Sequence, residues 1–213
     1  MTAENFNAAS IPPCKRDRTR LALIEAAIDI LSEKGMEGTS IDELMQGAGM
    51  ARGTFYNHFE NREELVGAVS CFIREQIYQS VVDRIPESYN AEQTFTCITY
   101  GFIHYGLTYL KTGWALVRIG GSSHWVSGER FSRAHNALQK VMPDQQERPY
   151  LGLIYIEGVA LMLLRRLLEK VITIEEADSI IELALRGIGI NKAQIKTLRN
   201  TAREFVIGLQ LHQ

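Results

Sequence analysis

Cysteine, proline and excess charge are all scarce in this chain. Cys14, Cys71 and Cys97 are the three cysteines of 213 residues and lie far apart, which excludes a C-x-x-C metal or redox pair and leaves one thiol over in any disulfide scheme. A reducing, cytoplasmic setting is the matching expectation. Five prolines and the lack of any long alternating apolar–polar run argue against a sandwich or barrel. The formal net charge of −2 gives no global attraction to nucleic acid or to an acidic membrane, so any such contact has to come from a local patch. No stretch reaches the roughly 20 apolar residues of a membrane span. The uncharged segment 93–110 holds four threonines and His104, and the apolar run 151–164 contains Glu157 and stops at Arg165-Arg166. The five histidines show no metal spacing, and neither a G-x-S-x-G elbow nor an H-E-x-x-H helix is present, so no catalytic residue, metal site or cofactor is expected. The start of the chain lacks the basic and apolar regions of a secretory signal, and residues 1–13, with Pro12-Pro13, read as a flexible tail.

What remains is helical spacing from end to end, which predicts an all-α fold. A first helix is expected over about 18–33, with Leu23, Ala27, Ile30 and Leu31 on one stripe and Gly35 as its stop. Ser40 and Glu43 have capping-box spacing, as have Thr39 and Asp42 in the neighbouring register. A short second helix follows from there, a third is expected over about 51–58, and Asn61 with Glu64 marks the start of a long fourth helix reaching Arg84. Further helices are expected near 91–111, 115–120, 127–142, 146–170, 175–187 and 191–209, with Thr112-Gly113 among the separators. No fixed-period repeat occurs.

The segment 47–59, GAGMARGTFYNHF, carries three glycines at G-x-G-x-x-x-G spacing. A dinucleotide fingerprint needs a strand to deliver the glycine turn and one residue less between the glycines; here a helix precedes it, so a nucleotide-dependent enzyme is the alternative reading. The other is a helix-turn-helix, in which Ala48 lets two helices cross closely, Gly49 supplies the positive φ of the turn and Met50 fills the space between them. Phe55 and Phe59, four residues apart, then face inward, leaving Arg52, Thr54, Tyr56, Asn57 and His58 for the outer face and the ends. Arg52 suits guanine or phosphate, Asn57 adenine, Thr54 a thymine methyl, and Tyr56 and His58 phosphate oxygens. Gly53 thins the face where a DNA backbone approaches, and His58 has a second possible role as a helix C-terminal cap.

The run 39–65, TSIDELMQGAGMARGTFYNHFENREEL, resembles the DNA-binding signature of TetR-family transcriptional regulators. The resemblance covers roughly 18–66. It implies a helix-turn-helix domain over 14–66, with the motif at about 39–59, and a larger helical effector-binding and dimerisation domain over 67–213. It implies that Arg52, Gly53, Thr54, Tyr56, Asn57 and His58 line the recognition helix, that Thr39 approaches a phosphate, and that Arg62 clamps one from the start of the fourth helix, where free amides also attract anions. Ala51 stands where the family commonly has serine, Met45 where it has alanine and Arg62 where it has lysine. Ala51 cannot cap with a side-chain oxygen, so a frayed third helix is expected. Residues 14–66 hold seven Lys/Arg against ten Asp/Glu; DNA contact then depends on placement, with Lys15, Arg16, Arg18 and Arg20 read as a basic arm.

Ten of the eighteen aromatic residues fall between Phe95 and Tyr155. Most belong to core by their spacing, but the resemblance implies a ligand cavity between the fourth and eighth helices. Phe102, His104, Tyr105 and Tyr109 are candidate lining residues, together with Trp114, Trp125 and the lone acid Glu157, for which a buried pairing with an arginine or histidine is the competing role. The helix around 151–164 is apolar around most of its circumference, which points to packing against its own copy. Leu151, Ile154, Gly158 and Leu161 there, with Ile181, Ala184 and Leu185 of the following helix, are the expected contacts of an isologous four-helix dimer interface typical of the family. The expected whole is a homodimeric regulator, most often a repressor, that binds a palindromic double-stranded DNA operator and is released by a small hydrophobic or aromatic ligand. A helical protein that binds only other proteins is the remaining alternative.

Overall fold

The structure is a computed structural model that describes residues 15–35, 38–120, 132–142 and 149–211. Among them there is no strand. The helices in chain order are α1 (Lys15–Lys34), α2 (Ile41–Gly47), α3 (Arg52–Tyr56), α4 (Arg62–Ser80), α5 (Ala91–Thr108), α6 (Leu110–Ile119), α7 (Ser132–Val141), α8 (Pro149–Leu168), α9 (Ile174–Gly187) and α10 (Lys192–Gly208), with a 3-10 turn at Val82–Arg84.

Side-chain caps start five of these helices. Ser40 caps α2, Asn90 caps α5 and Thr173 caps α9, each in a reciprocal capping box with Glu43, Gln93 and Glu176 respectively, so two orphan donors are satisfied at each start. Asn61 caps α4 through the amide of Glu64, and Asn191 caps α10 through that of Ala193. α1 ends at Gly35, whose φ of 73° is the left-handed stop expected there.

Several boundaries differ from the sequence expectation. α1 begins at Lys15, so the basic residues read as an arm form its first turns instead, and Arg20 lies over the ring of Phe59 at 4.9 Å. α4 ends at Ser80 because Val81, fully buried, turns into the core beside Gly101, where a Cβ would lie 2.2 Å from its Cγ1. The break between α5 and α6 falls at Tyr109 (ψ 80°), and Gly113 lies inside α6. A Cβ on Gly113 would sit 2.1 Å from the carbonyl oxygen of Gly106; glycine is there to let two backbones meet, not to stop a helix.

Two apolar cores result. The first joins α1 to α4 with Ala115, Leu116 and Ile119 of α6 and Leu164 of α8, while the second fills the space among α5, α7, α8, α9 and α10. Phe102, Leu107, Phe205 and Val206 touch both. α6 lies along α1, where Lys111 pairs with Asp29 at 2.9 Å and the Arg118 guanidinium donates to the carbonyl of Ser32. The α2–α3 unit is therefore held from one side by α4 and linked through α1 to the helices behind it.

Candidate nucleic-acid interface

The turn between α2 and α3 is built from backbone groups. The amide of Ala48 donates to Leu44, that of Gly49 to Gln46 and that of Met50 to Met45, and Gly49 has a φ of 64°, a conformation costly for any residue with a Cβ. Ala51 starts α3 without a side-chain cap, and α3 runs over five residues, shorter than the eight-residue expectation. Phe55 and Phe59 anchor it: both are fully buried, their ring centroids 5.8 Å apart.

With those two rings inside, the opposite side of α3 is open. Tyr56 is 52% exposed, and Arg52, Gly53 and Asn57 are exposed as well. Thr54 and His58 are half-buried. A Cβ on Gly53 would meet nothing within 4 Å, so internal packing does not require glycine there and the bare backbone is available to something outside. The Nδ1 of His58 is enclosed and has no hydrogen-bond partner, while its amide closes the end of α3 on the carbonyl of Phe55 at 2.8 Å.

Arg52 is held rather than free. Its Nη1 lies 2.9 and 3.0 Å from the two carboxylate oxygens of Asp42, a bridge from α3 to α2 between exposed side chains of the modest strength usual on a surface. Thr39 differs from its expected place: it is 2% exposed and its hydroxyl donates to the carbonyl of Gly35 at 2.6 Å, so the side chain braces the α1–α2 corner and cannot present its oxygen to a phosphate in this arrangement. Its carbonyl instead accepts from Nη1 of Arg62 at 3.1 Å. Arg62 thereby ties the start of α4 to the start of α2, and its Nη2 lies 3.5 Å from Glu63. Lys34 and Glu43 add a 2.5 Å pair between α1 and α2; the hydrogen bond from Lys34, then those from Ser40, hold the Glu43 carboxyl at about 2.

Sequence reading missed Asp42 as the partner of Arg52, ten positions away, and the Thr39–Arg62 link. Spacing within one helix reveals neither, because both cross a turn.

The aromatic residues behind this unit have different surroundings. Tyr105 is buried and Tyr109 lies 4.7 Å from it, ring centroid to centroid, on the first core, which Phe102 also touches. Trp114 lies under Arg118 at 5.1 Å, and Trp125 falls outside the described residues. His104 lines a separate cavity between α5, α9 and α10. Glu157 is half-buried on α8, and burial pushes its carboxyl up to about 7 against the pull of Arg74 on α4.

That shift has a sign that can be measured. Below about 4.5, the carboxyl's unshifted value, Glu157 is protonated in folded and unfolded chains alike. Between there and about 7 only the folded chain holds the proton, so the stability this group contributes declines with rising pH and is lost above its folded value. Glu157→Gln is expected to be more stable than the natural chain at high pH by about 2 kcal/mol, a figure discounted for partial exposure. The advantage should vanish in mildly acidic solution; denaturant melts across the pH range check it, and a constant difference would contradict it.

Among the described residues the large exposed apolar ones on α8 and α9 are Leu151, Ile154, Tyr155 and Met162, then Ile174, Ile180 and Leu183. A Cβ on Gly158 would meet nothing within 4 Å. Leu161 is half-buried and reaches Gly120. Ile181, Ala184 and Leu185, expected at an interface, are 1–3% exposed and belong to the second core. The face of α9 is thus the opposite of the expected one: its more continuous apolar stripe packs within the protomer, and Ile180 and Leu183 are left outside. Gly152, too, is closed off by Met142 and Leu138.

A short helix, a glycine turn and a second short helix with an open polar face, clamped by a long fourth helix, define a helix-turn-helix protein. Residues 23–69 match the family described as bacterial regulatory proteins, tetR family, so the likeness to that family is carried by the region that holds the helix-turn-helix. It is 32% identical over 73 residues to the uncharacterized HTH-type transcriptional regulator YvdT of Bacillus subtilis, a match spanning 34% of this chain and 36% of that one. The chain thus aligns with about a third of the length of that curated relative. Over most of its length the fold is similar to that of RolR in complex with resorcinol (TM-score 0.56, 22% identity, 86% of this chain and 94% of that one). It is similar also to FadR of Bacillus subtilis in complex with stearoyl-CoA (TM-score 0.58, 16% identity, 80% and 99%).

Proposed function

We propose that this chain is a ligand-responsive regulator that binds a palindromic DNA operator as a homodimer, acts as a repressor in the cytoplasm, and is released by a small hydrophobic or aromatic ligand. Residues 14–66 form the reading unit in this account, and 67–213 the effector and dimer unit. The observation that carries it is the outer face of α3, where Tyr56 and Asn57 are exposed beside the bare backbone of Gly53. Such a face can enter a major groove, with Asn57 and Arg52 meeting base edges and Tyr56 and Arg62 meeting phosphates. The bond from Arg62 to Thr39 presets the clamp, and Asp42 presets the direction of Arg52.

Support for a second copy comes from the large apolar residues of α8 and α9 that are exposed on these adjacent helices. Support for a small effector comes from RolR and FadR, each of similar fold and each observed with an organic molecule bound. Effector binding acts by population shift: the ligand favours the dimer whose two α3 helices no longer match the groove spacing, and so must bind that state more tightly. Two routes reach α3, one along α4 and one through the contact of α6 with α1.

The test is selection of genomic fragments by the purified protein, followed by titration of variants on the best fragment. Tyr56→Ala and Arg62→Ala are expected to weaken binding to all sequences about tenfold, while Asn57→Ala and Arg52→Ala also relax base preference, each by about 1–3 kcal/mol. Unchanged affinity in all four variants refutes this reading face.

A further inference from the structure

A groove of about 900 Å3 runs between α1 and α4, with Arg20 and Ile24 on one wall and side chains between Glu60 and Glu75 on the other. Its floor is apolar. Ile24 is buried, while Ala68 and Phe72 are half-buried and pack against the first core. The groove follows α4 from Asn61 to Glu75, about 21 Å or four turns of helix. Tyr56 and Asn57 of the reading face do not line it, and neither do the aromatic residues of α5 and α6. It is a surface of its own.

The rim of the groove is acidic. Glu60, Glu63 and Glu64 stand at one end and Glu75 at the other, against one guanidinium in the walls, that of Arg20, which lies over the ring of Phe59. Two more arginines are close by: Arg62 donates to the Thr39 carbonyl and reaches Glu63 at 3.5 Å, and Arg74 donates to the sulfur of Cys71. Counting both, carboxylates still outnumber guanidinium groups by four to three. Glu63 and Glu64 suit the positive end of α4 as acids of its first turn. Glu60 and Glu75 lie outside that turn and gain nothing comparable from the helix dipole. Beside a face that is to meet phosphates such acids are a burden, whereas they suit a cationic neighbour.

The groove is open along one side, so a small molecule would keep much of its surface in water, whereas small-molecule sites enclose most of theirs. A helix in a groove needs only its apolar face covered and leaves its polar face in water. We propose that the α1–α4 groove docks a basic amphipathic helix of a partner protein, its apolar stripe on Ile24, Ala68 and Phe72 and its lysines or arginines against the Glu60–Glu64 end and Glu75. The site stands whether or not the chain binds DNA.

Fluorescence anisotropy with the full-length protein and no DNA tests it, using a labelled synthetic helix of about fourteen residues with a leucine stripe flanked by lysines. Two companion peptides carry glutamate in place of lysine, or the same composition scrambled so that the stripe is lost. The lysine peptide is expected to bind in the micromolar range, the scrambled one roughly tenfold more weakly and the glutamate one not at all. Spermine at equal concentration should not displace it. The double variant Glu60→Gln, Glu75→Gln should weaken binding about fivefold, as the loss of two surface ion pairs implies. Cys71→Arg, at an exposed position in the groove wall, should abolish it, with a thermal melt confirming that each variant is folded. No binding of the lysine peptide, equal binding of either companion, or unchanged affinity in the folded variants would overturn the proposal. So would displacement by spermine, which would give the groove to a small polycation, or a mass of the protein alone that falls on Cys71→Arg, which would give it to a second copy.

Discussion

An alanine at Gly113 is expected to destabilise the protein by about 4 kcal/mol, the upper range for a single substitution. The added methyl would lie 2.1 Å from the carbonyl oxygen of Gly106 and 2.9 Å from its carbonyl carbon. Side chains can rotate away from such a clash; two backbones cannot, so α5 and α6 must separate. Gly106 has no slack on its other side, where a Cβ would stand 2.6 Å from Leu164. Moving α6 also disturbs the Lys111–Asp29 pair and the Arg118 contact with Ser32 on α1, and with them the link between the two cores. A thermal melt should show a midpoint lowered by roughly 8–16 °C. A midpoint within a degree or two of the natural chain would mean that the α5–α6 corner is looser than its geometry requires.

If the proposed homodimer forms through α8 and α9, the double variant Ile154→Asp, Leu183→Asp is expected to abolish it and to lower affinity for the proposed operator about a hundredfold or more, the scale of avidity lost when two linked reading heads become separate. Both positions are solvent-facing in the protomer, at 52% and 61% exposure, so the carboxylates remain hydrated and the monomer keeps its fold. Buried against a second copy they would be unpaired charges repeated by the symmetry of the interface. Light scattering or sedimentation reads the mass directly. A variant that stays dimeric would remove the exposed face of α8 and α9 from the interface.

These two cases also show what a sequence can and cannot disclose. Local signals carried over well: the Ser40–Glu43 capping box, the Asn61 cap, the left-handed Gly35 and Gly49, and the inward pair Phe55 and Phe59 all depend on neighbours within one turn. Gly113 was legible as a glycine but not in its purpose, because the group that demands it, the carbonyl of Gly106, lies across a corner whose geometry no short-range pattern specifies. α9 was legible as amphipathic but its direction was misread, since which stripe faces a partner depends on whether α5 and α10 already cover the other. The reading face shows the same division. Its residue types were evident, while the engagement of Arg52 by Asp42, of Thr39 by Gly35 and of Arg62 by Thr39 required the folded turn.

One measurement bears most directly on whether this helix-turn-helix reads DNA: the affinity of the purified protein for its best selected fragment as a function of salt concentration. The whole chain carries a formal charge of −2, so binding must arise from phosphate contacts at the placed cations and amides rather than from general attraction. With about six to ten phosphates engaged by a dimer, the logarithm of the binding constant should fall with the logarithm of salt with a slope of roughly −5 to −9. A flat response, or no binding even at low salt, would contradict the account.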